Sequence, residues 1–330
     1  MQQLLVALSA AAGLIAGQVA PTPAEAPATA AQMDAHRAEL IAKCPVMRDV
    51  PDAEASRLPI HVTRWGNSGP RVVIIHGGVQ GGVGGGPTTF AKQQPWGSDG
   101  WRVEAVDRPG FGASPSRGVD DMTRDSVWIA DMLDGGANLI GHSWGGAEAL
   151  LAAARRPAAV RSLVLVEPAL TAIVAADPAL RNNPAVIAGD KMRARLLMTA
   201  ETPGQYGASF ARMLGSAPAG GAETNVAINA MTSDPALATR TGCALLEGRI
   251  PAPAVFQNAI ATIAEAHVPV LIVTGGWNPG FDAAADVLAR LMHGRHVIVR
   301  SPNHFVQLSN SADFNREVAA FMRDADRDRR

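Results

Sequence analysis

From about Pro59 onward, short apolar segments alternate with stretches of helical periodicity along the chain. The apolar segments have the length of buried strands. They are PIHVTRW, RVVIIHGG, WRVEAVDRPG, ANLIGHSWGG, VRSLVLVEPAL, PVLIVTGG and RHVIVRSPNH. Strands that alternate with helices predict a parallel sheet, and right-handed crossovers arrange it as a doubly wound, mostly parallel α/β fold.

One long interval breaks this alternation. Residues 171–266 contain helical patterns and turns but no convincing strand. Because such a stretch is too long for a loop within a compact domain, we predict a helical lid inserted between the two parts of the sheet domain, residues 59–170 and 267–324. Methionine packs well into irregular gaps, so the methionines of the interval are expected to fill the core of the lid. They include Met192, Met198, Met213 and Met231.

Composition limits the kind of ligand. The chain has 330 residues, of which 47% are hydrophobic and 18% charged, so it can bury a large core. Its formal net charge is -1 and no basic stripe is present, which argues against a nucleic-acid partner. We expect a small, largely uncharged molecule as the substrate or ligand.

The first residues, 1–31, have the order of an export signal followed by a linker. An apolar run from Leu4 to about Ala16 precedes a stretch rich in proline and alanine, and it is too short for a stable membrane anchor. Export to the periplasm or outside the cell is the prediction. A cytoplasmic protein is the alternative, because no lysine or arginine precedes Arg37. Residues 32–58 are predicted to form an N-terminal extension.

The two cysteines, Cys44 and Cys243, fit either compartment. They could form one disulfide after export or remain two buried thiols. Because the core is large enough to be stable without a covalent link, thiols are the prediction.

The stretch LIGHSWGG carries the pattern Gly-x-Ser-x-Gly directly between a predicted strand and a predicted helix. In this context the turn is so sharp that neighbouring side chains must be small, and the serine hydroxyl is exposed at the carboxyl edge of the sheet. The five-residue pattern alone is weak evidence, since such turns are common. Its place after a strand and before a helix makes Ser143 the predicted nucleophile.

Four segments, in this order, resemble the α/β-hydrolase family. They are HGG after the strand VVII, DRPGFGAS after the next strand, GHSWGG at the turn, and NHFVQL near the end. The resemblance extends from about Pro59 to Met322. It implies the α/β-hydrolase fold and a Ser-His-acid catalytic triad that needs no cofactor and no metal.

The same resemblance implies an oxyanion hole. In the geometry of the family, the backbone N–H groups of Gly78 and Trp144 point at the oxygen on which negative charge develops. His76 and Gly77 belong to the same loop and, together with Trp144, are the predicted substrate pocket. The glycine-rich run at residues 81–86 would let backbone approach the substrate closely, and a merely flexible loop is the alternative.

His304 is the predicted general base. It follows the strand RHVIVRS and precedes the last helix, where the family has its histidine, although Asn303 replaces the usual preceding glycine. An ordinary histidine in this role predicts an activity that rises between about pH 6 and 7.

The acid of the triad is less obvious, because the segment GGWNPGFD has Asn278 where the family usually carries an aspartate. A neutral amide could orient the histidine but could not stabilise the imidazolium. Glu167, at the end of SLVLVE, lies where haloalkane dehalogenases of the family often place their acid, and it is the predicted acid. Asp282 is the alternative, although a position in the first turn of a helix would explain it as a helix cap.

The resemblance predicts a serine hydrolase that cleaves a carboxylic ester or a lactone. Dehalogenation fits poorly, since an alkyl ether on Ser143 would offer water no carbonyl to attack. An aminopeptidase similar to proline iminopeptidases is one alternative, and it would need carboxylates such as Glu201, Glu223 or Glu247 to hold a substrate amine. A non-catalytic binding protein of the same fold is another, suggested by the missing aspartate at Asn278.

Overall fold

Seven strands of the described residues form one central sheet. The structure is a computed structural model that describes residues 28–47, 49–81, 84–215 and 231–327. The strands are β1 (Val62–Trp65), β2 (Arg71–Ile75), β3 (Arg102–Val106), β4 (Ala137–His142), β5 (Val160–Val166), β6 (Val270–Thr274) and β7 (Arg295–Ile298). Each lies within one of the apolar segments, so the strand predictions are confirmed. Of the predicted signal and linker at residues 1–31, residues 1–27 lie outside the described residues, as do residues 82–83 of the glycine-rich run.

The strand order is β1-β3-β2-β4-β5-β6-β7. Strand β1 pairs antiparallel with β3, and every other neighbouring pair is parallel. The predicted α/β-hydrolase fold with a mostly parallel sheet is therefore confirmed. The carboxyl ends of β2, β4, β5 and β6 lie along one edge, which is where sheets of this kind bind ligands.

Helices cover both faces of the sheet. They are α1 (Ala30–Ile41), α2 (Asp52–Ala55), α3 (Gly86–Thr89), α4 (Met122–Asp131), α5 (Ser143–Arg155), α6 (Thr171–Val174), α7 (Pro178–Arg181), α8 (Pro184–Met198), α9 (Pro203–Gly215), α10 (Pro235–Glu247), α11 (Pro253–Glu265), α12 (Pro279–Leu291), α13 (Val306–Ser309) and α14 (Ser311–Arg327). Residues of β2 alternate between the faces: Val73 and Ile75 join an apolar cluster with α5, whereas Val72 and Ile74 join one with α14. Within the described part of the chain, no helix is both long and apolar enough to cross a membrane.

Short polar side chains begin several of these helices. Asp121, Asn183 and Asp234 each accept hydrogen bonds from backbone N–H groups in the first turns of α4, α8 and α10. Such caps satisfy donors that have no partner within the helix. The helix starts are thus encoded locally, which is why the alternation is visible in the sequence.

In the described part of the interval predicted as a lid, the regular elements are the helices α6 to α11, and no strand is found among those residues. Helix α11 packs through Phe256, Ile260 and Ile263 into the same apolar cluster as the sheet and α5. It therefore belongs with the layer of helices on the sheet, although its residues fall inside the predicted interval. Helices α6 to α8 also contribute to that cluster.

Helices α9 and α10 form a close pair at the sheet's carboxyl edge. Their backbones approach so closely that a Cβ atom at Gly207 would lie 2.3 Å from the oxygen of Ala238, and one at Gly242 would lie 1.8 Å from that of Pro203. Only glycine permits this contact. Met231 precedes α10 and is buried in a small cluster with α9, whereas Met192 is 51% exposed and does not fill a core.

The N-terminal extension is tied to this pair of helices, and here the prediction about the cysteines is wrong. Cys44 and Cys243 form a disulfide with a Cα–Cα distance of 5.7 Å. The main core alone would be stable without a covalent link. Helix α1, however, packs outside the main core, in a small cluster of Leu40, Ala200 and Leu246. This cluster buries little apolar surface, so the disulfide adds stability that burial does not supply.

Candidate active site

Ser143 lies at a sharp turn between β4 and α5. It is the first residue of the helix, and its φ of 54° is unusual for a residue other than glycine. The flanking glycines make the turn sterically possible: a Cβ atom at Gly141 would lie 2.5 Å from the oxygen of Gly145, and one at Gly145 would lie 2.2 Å from the oxygen of His76. Strain of this kind, held in place by close packing, is typical of a nucleophile elbow.

The loop after β2 passes directly beside this serine. A Cβ atom at Gly77 would lie 2.6 Å from the Cβ of Ser143, and Gly78 has a φ of 86°. Glycine at both positions lets backbone reach the nucleophile. The loop is therefore placed where a backbone N–H could serve an oxyanion.

His76 fixes this loop through hydrogen bonds of both its ring nitrogens. Its Nε2 accepts a hydrogen bond from the backbone N–H of Arg108 at 3.0 Å, so Nδ1 carries the proton and donates to the carbonyl of Gly77 at 2.8 Å. That carbonyl and the N–H of Gly78 belong to one planar peptide group, so the contact orients the N–H as well. Burial lowers the pKa of His76 to about 3 and keeps the ring neutral. His76 does not line the cavity described below, contrary to its prediction as a substrate contact.

Glu167 and His304 are in direct contact. Oε2 of Glu167 lies 2.8 Å from Nδ1 of His304, and both side chains are buried. The other ring nitrogen, Nε2, makes no hydrogen bond to any of the described residues. His304 thus has one nitrogen held by a carboxylate and the other free to exchange a proton.

The loop after β6 donates hydrogen bonds to this carboxylate. The backbone N–H of Gly275 lies 2.7 Å from Oε1 of Glu167, and the indole Nε1 of Trp277 lies 2.9 Å from each of the two oxygens. Glu167 itself has a φ of 42°, which turns the chain sharply at the end of β5. Trp277 is not apparent from the sequence, since the segment GGWNPGFD gives no local signal that its indole binds an acid on another strand.

Asp282 and Asn278 have other positions. Asn278 caps α12, and its side chain accepts a hydrogen bond from the N–H of Gly280 at 2.9 Å. Asp282 lies in the first turn of the same helix. Among the described contacts none joins Asp282 to His304, so the structure brings Glu167, and not the alternative acid, to the histidine.

Burial disfavours the charged form of both partners. It raises the pKa of the Glu167 carboxyl, while the N–H groups of Gly275 and Trp277 act in the opposite direction. It lowers the pKa of the His304 imidazole below its ordinary value of about 6.5. A general base requires a neutral imidazole with Glu167 ionised beside it, and this form is reached only above the raised pKa of the carboxyl, which is about 8.

A cavity of about 420 Å³ borders the serine and the histidine. Ser143 and His304 line it, together with Gly78 and Trp144. Residues from the predicted lid interval line it too, namely Phe210, Ala211, Leu214, Met231, Thr241 and Leu245. The volume suits a small organic molecule, and most of the lining is apolar.

Helix α9 is also bonded to the backbone of the histidine, because the N–H of His304 donates to the carbonyl of Leu214 at 3.1 Å. Movement of α9 would therefore be transmitted to His304.

As for metals, the described residues include no group of three or more His, Cys, Asp or Glu side chains placed to hold an ion.

The comparisons with known proteins identify the family. A family model for the alpha/beta hydrolase fold matches residues 70–311. The chain belongs to the α/β-hydrolase family, and it has the features of a hydrolase of this fold with esterases among its relatives.

Among the relatives, the pimeloyl-acyl-carrier protein methyl ester esterase of Nitrosomonas europaea is 36% identical over 108 residues, which are 32% of this chain and 40% of the esterase. The match thus spans less than half of that relative. The solved structure of DBJA superposes with a TM-score of 0.61 at 20% identity, covering 85% of this chain and 97% of DBJA. The esterase EaEST from Exiguobacterium antarcticum gives 0.58 at 18% identity, covering 84% and 99%. Identities this low support the shared fold alone.

Proposed function

We propose that the protein is a serine hydrolase that cleaves a carboxylic ester or lactone of a small, largely uncharged substrate through an acyl-enzyme on Ser143. The observation that carries the proposal is the contact of 2.8 Å between Glu167 and His304, beside a serine at a strained elbow that lines the same cavity. These are the parts that nucleophilic catalysis by serine requires.

The reaction would proceed in two halves. In the first, Ser143 Oγ attacks the ester carbonyl while His304 Nε2 accepts the hydroxyl proton, and the backbone N–H groups of Gly78 and Trp144 stabilise the oxyanion. The C–O bond then breaks, and the alcohol leaves with the proton from His304. In the second half, water attacks the acyl group by the same path, releasing the acid and restoring Ser143. Glu167 stabilises the imidazolium in both halves.

The cavity favours an uncharged ester over an amine substrate. Among its described lining residues, Lys92 is the sole Lys, Arg, Asp or Glu side chain. Glu201 and Glu247 lie outside the lining, and Glu223 lies outside the described residues. An aminopeptidase would need a carboxylate to hold the amine, so the lining supports the esterase. The methyl ester esterase among the relatives points the same way.

Helices α9 and α10 would act as the lid over this cavity. Both contribute lining residues, and α9 is bonded to the His304 backbone.

The disulfide between Cys44 and Cys243 supports the further proposal of an exported protein, since such bonds persist in oxidising compartments.

Labelling with a fluorophosphonate tests the proposal independently of the substrate. Wild-type protein should be labelled at Ser143, and Ser143→Ala should neither be labelled nor hydrolyse any ester, with little change in melting temperature because alanine fits the elbow. A panel of p-nitrophenyl esters, lactones and amino-acid amides then ranks the substrate classes. Absence of labelling in the wild type would favour the non-catalytic binding protein, and preferred turnover of amides would favour the aminopeptidase.

A further inference from the structure

A buried charge cluster lies behind the oxyanion loop and takes no part in the proposed chemistry. Arg108, in the segment DRPGFG after β3, has a completely buried side chain. Its Nη2 lies 2.7 Å from Glu148, 3.2 Å from Asp120 and 3.4 Å from Asp125. One completely buried cation therefore faces three carboxyl groups that are themselves almost completely buried.

Such a cluster is expensive to bury, and apolar residues of similar volume would often be at least as stabilising. Burial raises the pKa of Glu148 well above its ordinary value and raises that of Asp120 to about 6, even though Arg108 opposes both shifts. General stability of the fold thus gives a poor explanation for keeping these residues. A better explanation is that the cluster holds neighbouring groups in position.

Arg108 reaches the oxyanion loop in two ways. Its Nη1 donates to the carbonyl of Gly78 at 2.8 Å, and its backbone N–H donates to His76, which in turn donates to the carbonyl of Gly77. Two consecutive carbonyls of the loop are therefore held from the side of Arg108. The peptide group that carries the Gly78 N–H is held at its own carbonyl, that of Gly77, and the next peptide group is held at the carbonyl of Gly78.

The other end of the cluster reaches the helix of the nucleophile. Oε1 of Glu148 accepts a hydrogen bond from Arg108 Nη2 at 2.7 Å and another from the indole Nε1 of Trp144 at 2.7 Å. Trp144 follows Ser143 in α5 and is itself buried. A single carboxylate oxygen thus connects the arginine of the loop to the residue that supplies the second oxyanion donor.

We propose that Arg108 and Glu148 are positioning residues for the hydrolysis, which fix the Gly78 loop relative to Trp144 so that both backbone N–H groups converge on one oxyanion. The inference rests on the proposed function. A preorganised pair of donors acts in the transition state and much less on the bound ester, so its loss should lower kcat and leave KM nearly unchanged.

Arg108→Lys tests the contact between Arg108 and Gly78. Lysine keeps the charge, but its single ammonium group cannot bind the Gly78 carbonyl and the carboxylates at the same time, as the two Nη atoms of arginine do. We expect kcat on a p-nitrophenyl ester to fall roughly tenfold to a hundredfold, with KM changed by less than about threefold. A trifluoromethyl ketone inhibitor, whose carbonyl carbon bonds to Ser143 Oγ and whose oxygen becomes an anion, should lose affinity by a similar factor.

Arg71→Lys is the matched control. Arg71 also binds a carboxylate and backbone carbonyls, with contacts of 2.7 Å to Glu104, 2.6 Å to Asp134 O and 2.8 Å to Met132 O. It lies at the start of β2, away from the sheet's carboxyl edge. Arg71→Lys should change melting temperature without lowering kcat or inhibitor affinity.

Glu148 supplies an independent test that does not depend on how well Arg108→Lys folds. Glutamine keeps an oxygen that can accept from both Arg108 and Trp144, so Glu148→Gln should retain kcat within about threefold. Methionine keeps the volume and removes the acceptor, so Glu148→Met should lower kcat and inhibitor affinity about tenfold or more.

The outcomes separate cleanly. The inference would be overturned if Arg108→Lys or Glu148→Met had the kcat and inhibitor affinity of the wild type. The proposed hydrolase would still stand in that case, provided that fluorophosphonate labels the wild type. Equal losses in Glu148→Gln and Glu148→Met, or a loss confined to melting temperature, would also overturn it. A wild type that fluorophosphonate does not label overturns the hydrolase and this inference together.

Discussion

The ends of β5 and β6 lie side by side at the carboxyl edge of the sheet, and each could have supplied the acid of a catalytic triad. The end of β5 carries Glu167, whose carboxylate contacts His304 at 2.8 Å. The loop after β6 carries Asn278 as a helix cap and, through Gly275 and Trp277, donates N–H groups to Glu167. One strand end therefore supplies the charge, and the other supplies the hydrogen bonds that solvate it.

This division of roles teaches why the missing aspartate does not imply a missing activity. A buried carboxylate is costly unless donors surround it, and an acid at the end of β5 cannot find all its donors locally. The loop after β6 is the nearest backbone, since Val166 and Val273 are paired neighbours in the two strands. The loop that has Asn278 in place of an acid carries Trp277 beside it, whose indole N–H binds Glu167.

The largest expected effect separates the two ends directly. Glu167→Gln should lower kcat by several orders of magnitude, roughly up to ten-thousandfold, because the imidazolium loses its stabilising charge. Asp282→Asn should lower it by less than about threefold, since Asp282 makes no described contact to His304. Steady-state kinetics of the two variants on one ester decide the matter. A large loss in Asp282→Asn with an active Glu167→Gln would return the acid to the later loop.

Trp277→Phe should have the next largest effect. It removes the indole N–H at 2.9 Å from both carboxylate oxygens but keeps an aromatic ring against Phe281 and His304. A hydrogen bond to a charged group contributes about 1.5–3 kcal/mol, so kcat should fall roughly tenfold to a hundredfold. Unchanged kcat in a well-folded Trp277→Phe protein would show that the β6 loop does not support the acid.

The pH dependence should differ from that expected for an ordinary histidine. The active form has an ionised Glu167 beside a neutral His304, and burial raises the pKa of the Glu167 carboxyl to about 8 while it lowers that of His304. The higher of the two pKa values governs, so the rise of kcat/KM with pH should lie above about pH 6.5. The sequence alone predicts a rise between about pH 6 and 7, because it does not reveal the burial. A pH profile with its midpoint at or below that of a free imidazole would contradict the raised pKa of Glu167.

Asn278→Ala should have the smallest effect on catalysis and a measurable one on stability. Loss of the cap of α12 should cost about 1 kcal/mol, or about 2–4 °C in melting temperature. Turnover should change by less than about threefold, since the side chain bonds Gly280 and not His304. A loss as large as that of Trp277→Phe would mean that Asn278 orients the histidine after all.

The fold could be predicted because its signals are local. Each strand is a short apolar run, and residues such as Asp121 and Asn183 mark helix starts within one turn. Ser143 was found in the same way, because the elbow requires glycines within two residues of it. Glu167 could be selected among the acids because an unpaired carboxylate at the end of a central strand would be costly.

The other features depend on contacts between distant segments. Trp277 lies 110 residues from the carboxylate it serves, and Cys44 lies 199 residues from its partner. Arg108 was visible as part of DRPGFG, but its contact with Gly78 depends on how β3 lies beside β2. No local pattern encodes these pairings, so the structure was needed to find them.

The central claim is that Glu167 and the β6 loop act on His304 as one unit, and a double-variant cycle tests it most directly. The measurement is the rate of fluorophosphonate labelling of Ser143 in wild type, Glu167→Gln, Trp277→Phe and the double variant. If Trp277 acts only by stabilising the Glu167 charge, Trp277→Phe should slow labelling in the wild type and have almost no further effect once Glu167 is glutamine. Losses that multiply in the double variant would contradict the claim, because the two ends would then act on His304 independently.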